Sequence, residues 1–78
     1  MKDKVTQAER VFDYMVEFDG ITQLEALRDL GVMRLASRIS DLRKQGIPIE
    51  ASVVGVQNRF GETCYIKRYR VKVSETNG

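Results

Sequence analysis

The chain has 78 residues, of which 42% are hydrophobic and 31% are charged, a composition typical of one small globular domain. A domain of this size buries only about 60% of the surface that its unfolded chain exposes, which leaves little room for a deep substrate cavity. Histidine is absent and Cys64 is the single cysteine, so the commonest general base is missing and one chain cannot form a disulfide. We therefore expect a protein that is not an enzyme and that uses no metal, cofactor or small-molecule substrate.

The charge is unevenly divided along the chain. Residues 1–25 carry six acidic and three basic side chains, whereas residues 34–44 carry four basic and one acidic, and residues 59–72 carry five basic and one acidic. Two basic segments behind an acidic one favour a surface that approaches a polyanion. No stretch has the pattern of a signal peptide or a membrane span, so we expect a cytoplasmic protein without a membrane partner.

Three amphipathic helices are predicted before residue 46. Thr6 with Glu9, and again Thr22 with Glu25, have the spacing of a capping box, in which each side chain satisfies a backbone N–H of the first helical turn. Apolar residues then recur at helical spacing and are expected to face the core. They are Ala8, Val11, Phe12, Met15 and Val16 in the first helix, Leu24, Ala26, Leu27 and Leu30 in the second, and Leu35, Ala36, Ile39 and Leu42 in the third.

An antiparallel hairpin is predicted beyond Gly46, because Pro48 excludes a continuous helix and apolar residues then alternate with polar ones. Asn58 to Gly61 have the residue types of a type I turn within a three-residue hairpin loop. With Asn58 and Glu62 flanking the loop, the numbers of paired residues sum to 120, which keeps the core-facing residues on one face. This register pairs Ile49 with Val71, Ala51 with Tyr69 and Glu50 with Arg70.

The same register leaves an apolar patch on the outer face of the hairpin, with Val54 opposite Ile66 and Val56 opposite Cys64. Two interpretations remain open. The patch is a surface for self-association or for a protein partner, or a local twist turns the outer hairpin back on the core. The tyrosines expected in the core or at its boundary are Tyr14, Tyr65 and Tyr69.

Three helices, the last two joined by a tight turn, and then a hairpin are the element order of a winged helix-turn-helix, an α+β fold. A short strand near Ile21 would add a third member to the sheet. Several stretches also carry a family resemblance: ITQLEAL at 21–27, Gly31, RLASRISDLR at 34–43, NRFG at 58–61 and RYRV at 68–71. Over residues 6–73 the chain resembles the small winged helix-turn-helix proteins encoded by phages and prophages, with flexible ends expected at 1–5 and 74–78. The resemblance implies binding to double-stranded DNA in a bacterium or a phage-infected host cell.

The third helix is the candidate for the major groove of DNA. Its predicted buried stripe leaves Arg34, Ser37, Arg38, Asp41 and Lys44 towards the opposite or flanking face. Arginine can make paired hydrogen bonds to guanine, serine can bond a base edge or a phosphate, and lysine can contact a phosphate. We expect Arg34 and Arg38, four residues apart, to read bases, with Asp41 orienting Arg38.

Each of these residues also has an explanation that needs no DNA. Arg34 and Arg38 could be a solvated pair that Asp41 partly neutralises. Arg43 and Lys44 lie near the helix C-terminus, where a positive charge stabilises the helix by about 0.3–1 kcal/mol. For this reason they rank below Arg34 and Arg38 as candidate DNA contacts.

The tip of the hairpin supplies a second set of candidates. Asn58, Arg59 and Phe60 lie in the loop, and Lys67 follows closely in the second strand. Such residues can follow phosphates or enter a minor groove, where arginine senses groove width. Arg59 could also be an ordinary exposed turn residue, but a loop tip rarely needs a large aromatic such as Phe60.

The sequence therefore predicts a double-stranded DNA-binding protein, either a transcription regulator or an excision or architectural factor, with two copies on a symmetric or tandem site. The alternative is a protein-interaction module that docks through Val54, Val56 and Ile66. Binding to RNA or single-stranded DNA is disfavoured, because few aromatic side chains are expected on the exposed sheet.

Overall fold

The computed structural model describes residues 6–72, in which three helical segments precede a β-hairpin. The elements in chain order are α1 (Gln7–Phe18), β1 (Ile21–Thr22), α2 (Gln23–Glu25) with a π-helical turn (Ala26–Leu30), α3 (Leu35–Lys44), β2 (Ile49–Gln57) and β3 (Thr63–Val71). The strands form one antiparallel sheet in the order β1-β3-β2. The predicted α+β architecture and its short third strand are confirmed. The predicted flexible ends lie outside the described residues.

Both predicted capping boxes are present. The Thr6 hydroxyl accepts a hydrogen bond from the Glu9 backbone N–H at 3.1 Å, and the Glu9 carboxylate accepts one from the Thr6 N–H at 3.1 Å. Thr22 and Glu25 make the same reciprocal bonds at 3.2 and 3.0 Å. α1 ends at Asp19, whose backbone is left-handed with φ 60°. Short hydrogen-bonded motifs therefore set the starts of α1 and α2.

The second helix departs from the regular helix that the sequence predicts. After one turn of α2 the backbone widens into the π-helical turn, and the Val32 N–H donates to the Ala26 carbonyl at 3.0 Å. Gly31 ends this turn with φ 69°, a left-handed conformation that glycine adopts at little cost. Ala26 and Val32 are both almost completely buried, so the side chain of Val32 anchors the otherwise exposed connection to α3 in the core.

The core lies between the three helices and the inner half of the sheet. Its buried residues are Val11, Met15, Ile21, Ala26, Val32, Leu35, Ile39, Leu42 and Ile49. Val16, Leu24 and Leu27, which the sequence predicts to face the core, are instead 61%, 64% and 48% exposed. The prediction was wrong at these positions because so small a domain has room beneath each helix for only a narrow row of side chains.

The predicted register of the hairpin is confirmed along all of β2 and β3. The expected pairs are present: Ile49 with Val71, Glu50 with Arg70, Ala51 with Tyr69, Val54 with Ile66 and Val56 with Cys64. The Asn58 N–H donates to the Glu62 carbonyl at 2.9 Å and closes the three-residue loop. Ile21 of β1 pairs with Tyr69 from the other side of β3, which leaves β2 at the edge of the sheet.

Two arginines on the outer face of the sheet are bound within the protein. Arg70 Nη2 donates to the two Asp19 carboxylate oxygens at 3.0 and 3.2 Å, and its Nη1 lies 4.0 Å from the Glu50 carboxylate. Arg68 Nη2 donates to the Phe18 carbonyl at 3.4 Å, and its guanidinium lies against Gly20, where an added Cβ would be 2.5 Å from Arg68 Cζ. Through these bonds, the two arginines of β3 hold the segment that connects α1 with β1.

The hairpin formed by β2, β3 and their loop is called the wing below, and its outer half extends beyond the helices. Val53 is 65% exposed and Tyr65 is 73% exposed. Other residues on the same face of the sheet, nearer the helices, pack on the core. A strand of nine residues is about 30 Å long, so its outer half has no helix to cover it. The expectation that Tyr65 lies in the core or at its boundary was wrong for this reason. Tyr14 and Tyr69 are half-buried against the core, as expected.

A hydrogen bond joins α1 to the π-helical turn. The Tyr14 hydroxyl donates to the Asp29 carboxylate at 2.6 Å, and Arg28 Nε donates to the same carboxylate at 2.9 Å. These bonds, with that of Arg28 having the larger effect, lower the pKa of Asp29 from 3.8 to about 2. The bond to Asp29 also raises the pKa of Tyr14.

We expect Asp29→Asn to lower the free energy of unfolding at neutral pH by an amount that disappears in acid. Because the pKa of Asp29 is lower in the folded chain, its contribution is complete above the unfolded pKa near 3.8 and is lost as the pH falls towards about 2. Urea unfolding of the wild type and the variant at about pH 6 and about pH 2 measures this difference. Asp13→Asn, which removes an exposed carboxylate of α1, is the matched control. A difference that is equal at both pH values contradicts the assignment.

Candidate nucleic-acid interface

The start of α3 is held by a side chain from α2. Gln23 Nε2 donates to the Val32 carbonyl at 3.0 Å, and Gln23 Oε1 accepts a hydrogen bond from the Leu35 backbone N–H at 2.9 Å. Arg34, at the N-cap position of α3, makes no side-chain cap. Gln23 therefore satisfies an N–H that α3 itself leaves free, and it connects the two helices directly.

The exposed face of α3 is rotated from the one that the sequence predicts. Leu35, Ile39 and Leu42 are at most 2% exposed and form the inward row. Ala36, predicted to belong to that row, is exposed, because it borders an open cleft beside the wing instead of the core. The exposed residues within the helix are Ala36, Ser40, Arg43 and Lys44, and the half-buried ones are Ser37, Arg38 and Asp41.

The two arginines expected to read bases have different surroundings. Arg34 is exposed, whereas the Arg38 side chain is 32% exposed. Arg38 Nη2 lies 3.3 Å from the Asp41 carboxylate, and Arg38 Nη1 donates to Gln7 Oε1 at 3.3 Å. Arg38 Nε is buried and has no hydrogen-bond partner among residues 6–72. The guanidinium of Arg38 thus lies against the N-terminal end of α1, with Asp41 beside it as expected.

Two exposed polar residues of α3 were not leading candidates for DNA contacts from the sequence. Ser40 was missed, and Arg43 was ranked low. Arg43 Nη2 donates to the Ile49 carbonyl at 2.8 Å, so its side chain reaches from α3 to the start of β2. Ser40 is exposed four residues after Ala36 and four before Lys44. The helical spacing of these three residues would have indicated a common face, but only once Ala36 is placed outside the core.

The wing tip is ordered by the side chain of Asn58. Its Oδ1 accepts hydrogen bonds from the backbone N–H groups of Phe60 at 2.8 Å and Glu62 at 3.0 Å. Gly61 completes the turn with φ 78°. Arg59 is exposed and Phe60 is 77% exposed. Of the three predicted tip contacts, Asn58 therefore shapes the loop, and the other two are open to a partner.

Lys67 lies where the wing approaches the N-terminal end of α3. It borders a cleft of about 150 Å³ whose lining comes from α2, α3 and β3. The lining residues are Gln23, Leu24, Leu35, Ala36, Ile66, Lys67 and Tyr69. The structure thus brings Lys67 beside the start of α3, whereas Arg59 and Phe60 lie at the far end of the wing. Arg38 is directed towards α1, and Asp41 lies beside it.

The two ends of the outer apolar patch differ in burial. Ile66 is half-buried and borders the cleft with Leu24 and Ala36, so the hairpin twists this end of the patch towards the helices. Val54 is also half-buried, but Val56 is 42% exposed and its cross-strand neighbour Cys64 is exposed. The outer end of the patch is therefore an open apolar surface.

Comparison with known protein families matches residues 6–72 to a family described as a winged helix-turn-helix domain. The match spans all the helices and strands described above. The chain belongs to this winged helix-turn-helix family. The helix-turn-helix assignment suggests DNA as the partner, and such domains typically have no catalytic activity of their own. No curated protein and no solved structure matches the chain at a significant level.

A larger cleft of this winged helix-turn-helix domain is unsuited to DNA. It has a volume of about 380 Å³ and lies where α1 meets the end of α3, with Glu9 and Asp13 beside Phe12, Leu42 and Ile47. Its two carboxylates would repel a phosphate. Within residues 6–72 no three His, Cys, Asp or Glu side chains are grouped to hold a metal ion. No helix in this part of the chain is long and apolar enough to cross a membrane.

We expect Gln23→Ala to loosen the start of α3, because it leaves the Leu35 N–H and the Val32 carbonyl without their partner. The expected loss is about 1–2 kcal/mol of unfolding free energy, together with faster hydrogen exchange at the Leu35 amide. Gln7→Ala is the matched control, since Gln7 is also the first residue of its helix but, within residues 6–72, its side chain bonds only that of Arg38. If hydrogen exchange at the Leu35 N–H is unchanged in the Gln23 variant, the side-chain amide of Gln23 does not hold the start of α3.

Proposed function

We propose that this winged helix-turn-helix protein binds double-stranded DNA, with α3 in the major groove and the wing on the backbone or in the adjacent minor groove. The main support is the concave surface that Ala36 of α3 shares with Lys67 of β3. It places a basic side chain of the wing beside the start of the helix. The major groove is about 12 Å wide and admits one helix, while the flanking phosphates attract cations.

A set of free cations on α3 and the wing supports the same proposal. The ion pairs recorded among residues 6–72 use Arg28, Arg38 and Arg70. Five other basic residues at the proposed interface have no ion pair within that range: Arg34, Arg43, Lys44, Arg59 and Lys67. A surface cation without a carboxylate partner keeps its full charge for a phosphate, and each such contact releases a counterion from the DNA.

Base reading in this proposal begins at the N-terminal end of α3, because the first residues of a recognition helix reach furthest into the major groove. Arg34 precedes the helix and Ser37 lies in its first turn. Arg34 would bond O6 and N7 of a guanine, and Ser37 would bond a base edge or a phosphate. Arg38 would read a second base when it exchanges its 3.3 Å bond to Gln7 for DNA, with Asp41 still orienting it.

The wing makes the flanking contacts in this proposal. Arg59 follows the phosphates or enters the minor groove, and Phe60 packs against the sugar edge beside it. Asn58 contributes by holding the loop that carries both side chains. Lys67 and Lys44 contact phosphates on the two sides of the groove that α3 occupies.

The cellular role that we propose is that of a small phage or prophage regulator of transcription, or of an excision or architectural factor. The support is the family resemblance given by residues 21–43 and 58–71. Two copies on a symmetric or tandem site would give a domain of this size enough contacts for a specific complex.

A second candidate function is docking on another protein through the outer end of the wing. The observation that favours it is the exposure of Val56, at 42%, opposite the exposed Cys64. Under this alternative, charged substitutions at Val54, Val56 or Ile66 abolish function while the DNA affinity of one domain is retained. Under DNA binding alone, neutralising the free cations has the larger effect.

The salt dependence of binding tests the proposed cations. If the interface neutralises about five phosphates, a plot of log affinity against log salt concentration has a slope of about −4.5, and Arg59→Ala reduces its magnitude by about 0.9. Fluorescence anisotropy with a duplex at several salt concentrations measures both. Arg28→Ala is the control of equal charge, because Arg28 is paired with Asp29 at 2.9 Å. Equal slopes for Arg59→Ala and the wild type would remove the wing tip from the interface.

The base-reading role is tested on a site selected from a random duplex pool. We expect Arg34→Ala and Arg38→Ala to weaken binding to the selected site by about 1–3 kcal/mol per lost base contact, and to weaken binding to random duplex much less. Lys44→Ala should weaken both complexes to the same extent. If Arg38→Ala also affects both equally, Arg38 is a phosphate contact only, and failure to enrich any sequence would favour the protein-docking alternative.

A further inference from the structure

Within residues 6–72, β2 is the edge strand of the sheet and presents backbone groups that are not paired with another strand. The Asn58 N–H donates to the Glu62 carbonyl, and the Lys72 N–H donates to the Pro48 carbonyl, both at 2.9 Å. These two bonds identify even-numbered positions of this strand as the ones whose backbone groups face β3. Because bonding alternates along an antiparallel pair, the odd-numbered residues of β2 direct their N–H and C=O groups to the free edge.

One end of this edge is already occupied. The Ile49 carbonyl accepts a hydrogen bond from Arg43 Nη2 at 2.8 Å. Four residues then remain with both backbone groups directed outward: Ala51, Val53, Gly55 and Gln57. The segment 51–57 contains no charged residue and no proline, the features that usually protect a free edge from pairing with another strand.

We propose that β2 pairs with β2 of a second copy of this chain, antiparallel and about a two-fold axis at Val54. The four outward-facing residues are centred on Val54, so this register uses the backbone groups of all of them. Ala51 then pairs with Gln57 of the second copy, and Val53 pairs with Gly55 of the second copy. The contact is isologous and joins the two sheets into one six-stranded sheet.

The side chains agree with this register on both faces of the sheet. Val54 meets its own counterpart in a non-hydrogen-bonded pair, where opposed side chains are closest. On the other face, Val53 of one copy lies across Gly55 of the other. Gly55 has no side chain, and a Cβ added there would be 3.4 Å from Tyr65 Cε1. The space beside the Tyr65 ring is therefore open to Val53 of the second copy. Pairing therefore covers the 65% exposed Val53 and the 73% exposed Tyr65.

This contact does not depend on DNA binding, because it uses backbone groups and apolar side chains of the wing. Two copies related by a two-fold axis would present two α3 helices, as a pseudo-palindromic site requires. Self-association measured without DNA therefore tests the contact separately from the proposed function.

Disulfide trapping tests the register. Val54→Cys in a Cys64→Ser background should form a covalent dimer on mild oxidation, since opposed residues in a non-hydrogen-bonded pair have Cα atoms about 4.5 Å apart. Ser52→Cys in the same background is the matched control on the same strand and face. Its two copies would be offset by about 13 Å along the strands. We expect cross-linking to be at least about tenfold faster for Val54→Cys, and equal rates for the two variants would overturn this register.

Analytical ultracentrifugation tests the edge itself. The wild type should approach twice the 8.9 kDa mass of one chain as its concentration rises. Val53→Pro removes an edge-facing N–H but leaves the β2–β3 bonds intact, so it should remain folded by circular dichroism and sediment as a monomer. Val53→Thr keeps the N–H and should retain at least part of the dimer. A wild type that is monomeric at every soluble concentration, or a folded Val53→Pro variant that remains dimeric, would overturn the proposal.

Discussion

The positions of α3 and the wing depend on two adjacent residues, Thr22 and Gln23. Thr22 pairs with Arg68 of β3 and also caps α2 through its hydroxyl. The next residue, Gln23, bonds the Leu35 N–H at the start of α3. A strand of the wing and the proposed recognition helix are therefore fixed to one short segment by hydrogen bonds. The angle between them does not rest on apolar packing alone, which is important in a domain with so small a core.

The parts of the fold that the sequence predicts well are those decided by near neighbours. Each capping box involves residues three apart, and the hairpin register follows from one loop and the alternation of side chains. The short third strand near Ile21 was predicted from the element order of a winged helix-turn-helix. In the candidate site, the same local signals correctly indicate the exposed tip residues Arg59 and Phe60 and the Asp41 partner of Arg38.

The parts that the sequence does not predict are decided by groups far apart in the chain. Gln7 lies 31 positions before Arg38, which it binds, and no spacing rule connects them. Ala36 has the spacing of a core residue, but it lies beside an open cleft whose other wall comes from the wing. The alternation along β3 places Tyr65 at an inward-facing position, but β3 extends beyond the helices at that point and leaves Tyr65 exposed. In each case periodicity gives the direction of a side chain, whereas burial depends on what lies opposite.

The wing loop has a consequence for the thermodynamics of association. Asn58 closes it with two side-chain to backbone hydrogen bonds, and Gly61 supplies the left-handed residue that the turn needs. The conformational entropy of the loop backbone is therefore lost when the protein folds and not when it meets another molecule. A flexible arm carrying the same arginine and phenylalanine would have to become ordered in the complex. In the proposed complex this tip instead binds with a smaller entropic penalty, because the backbone that carries its two exposed side chains is already fixed.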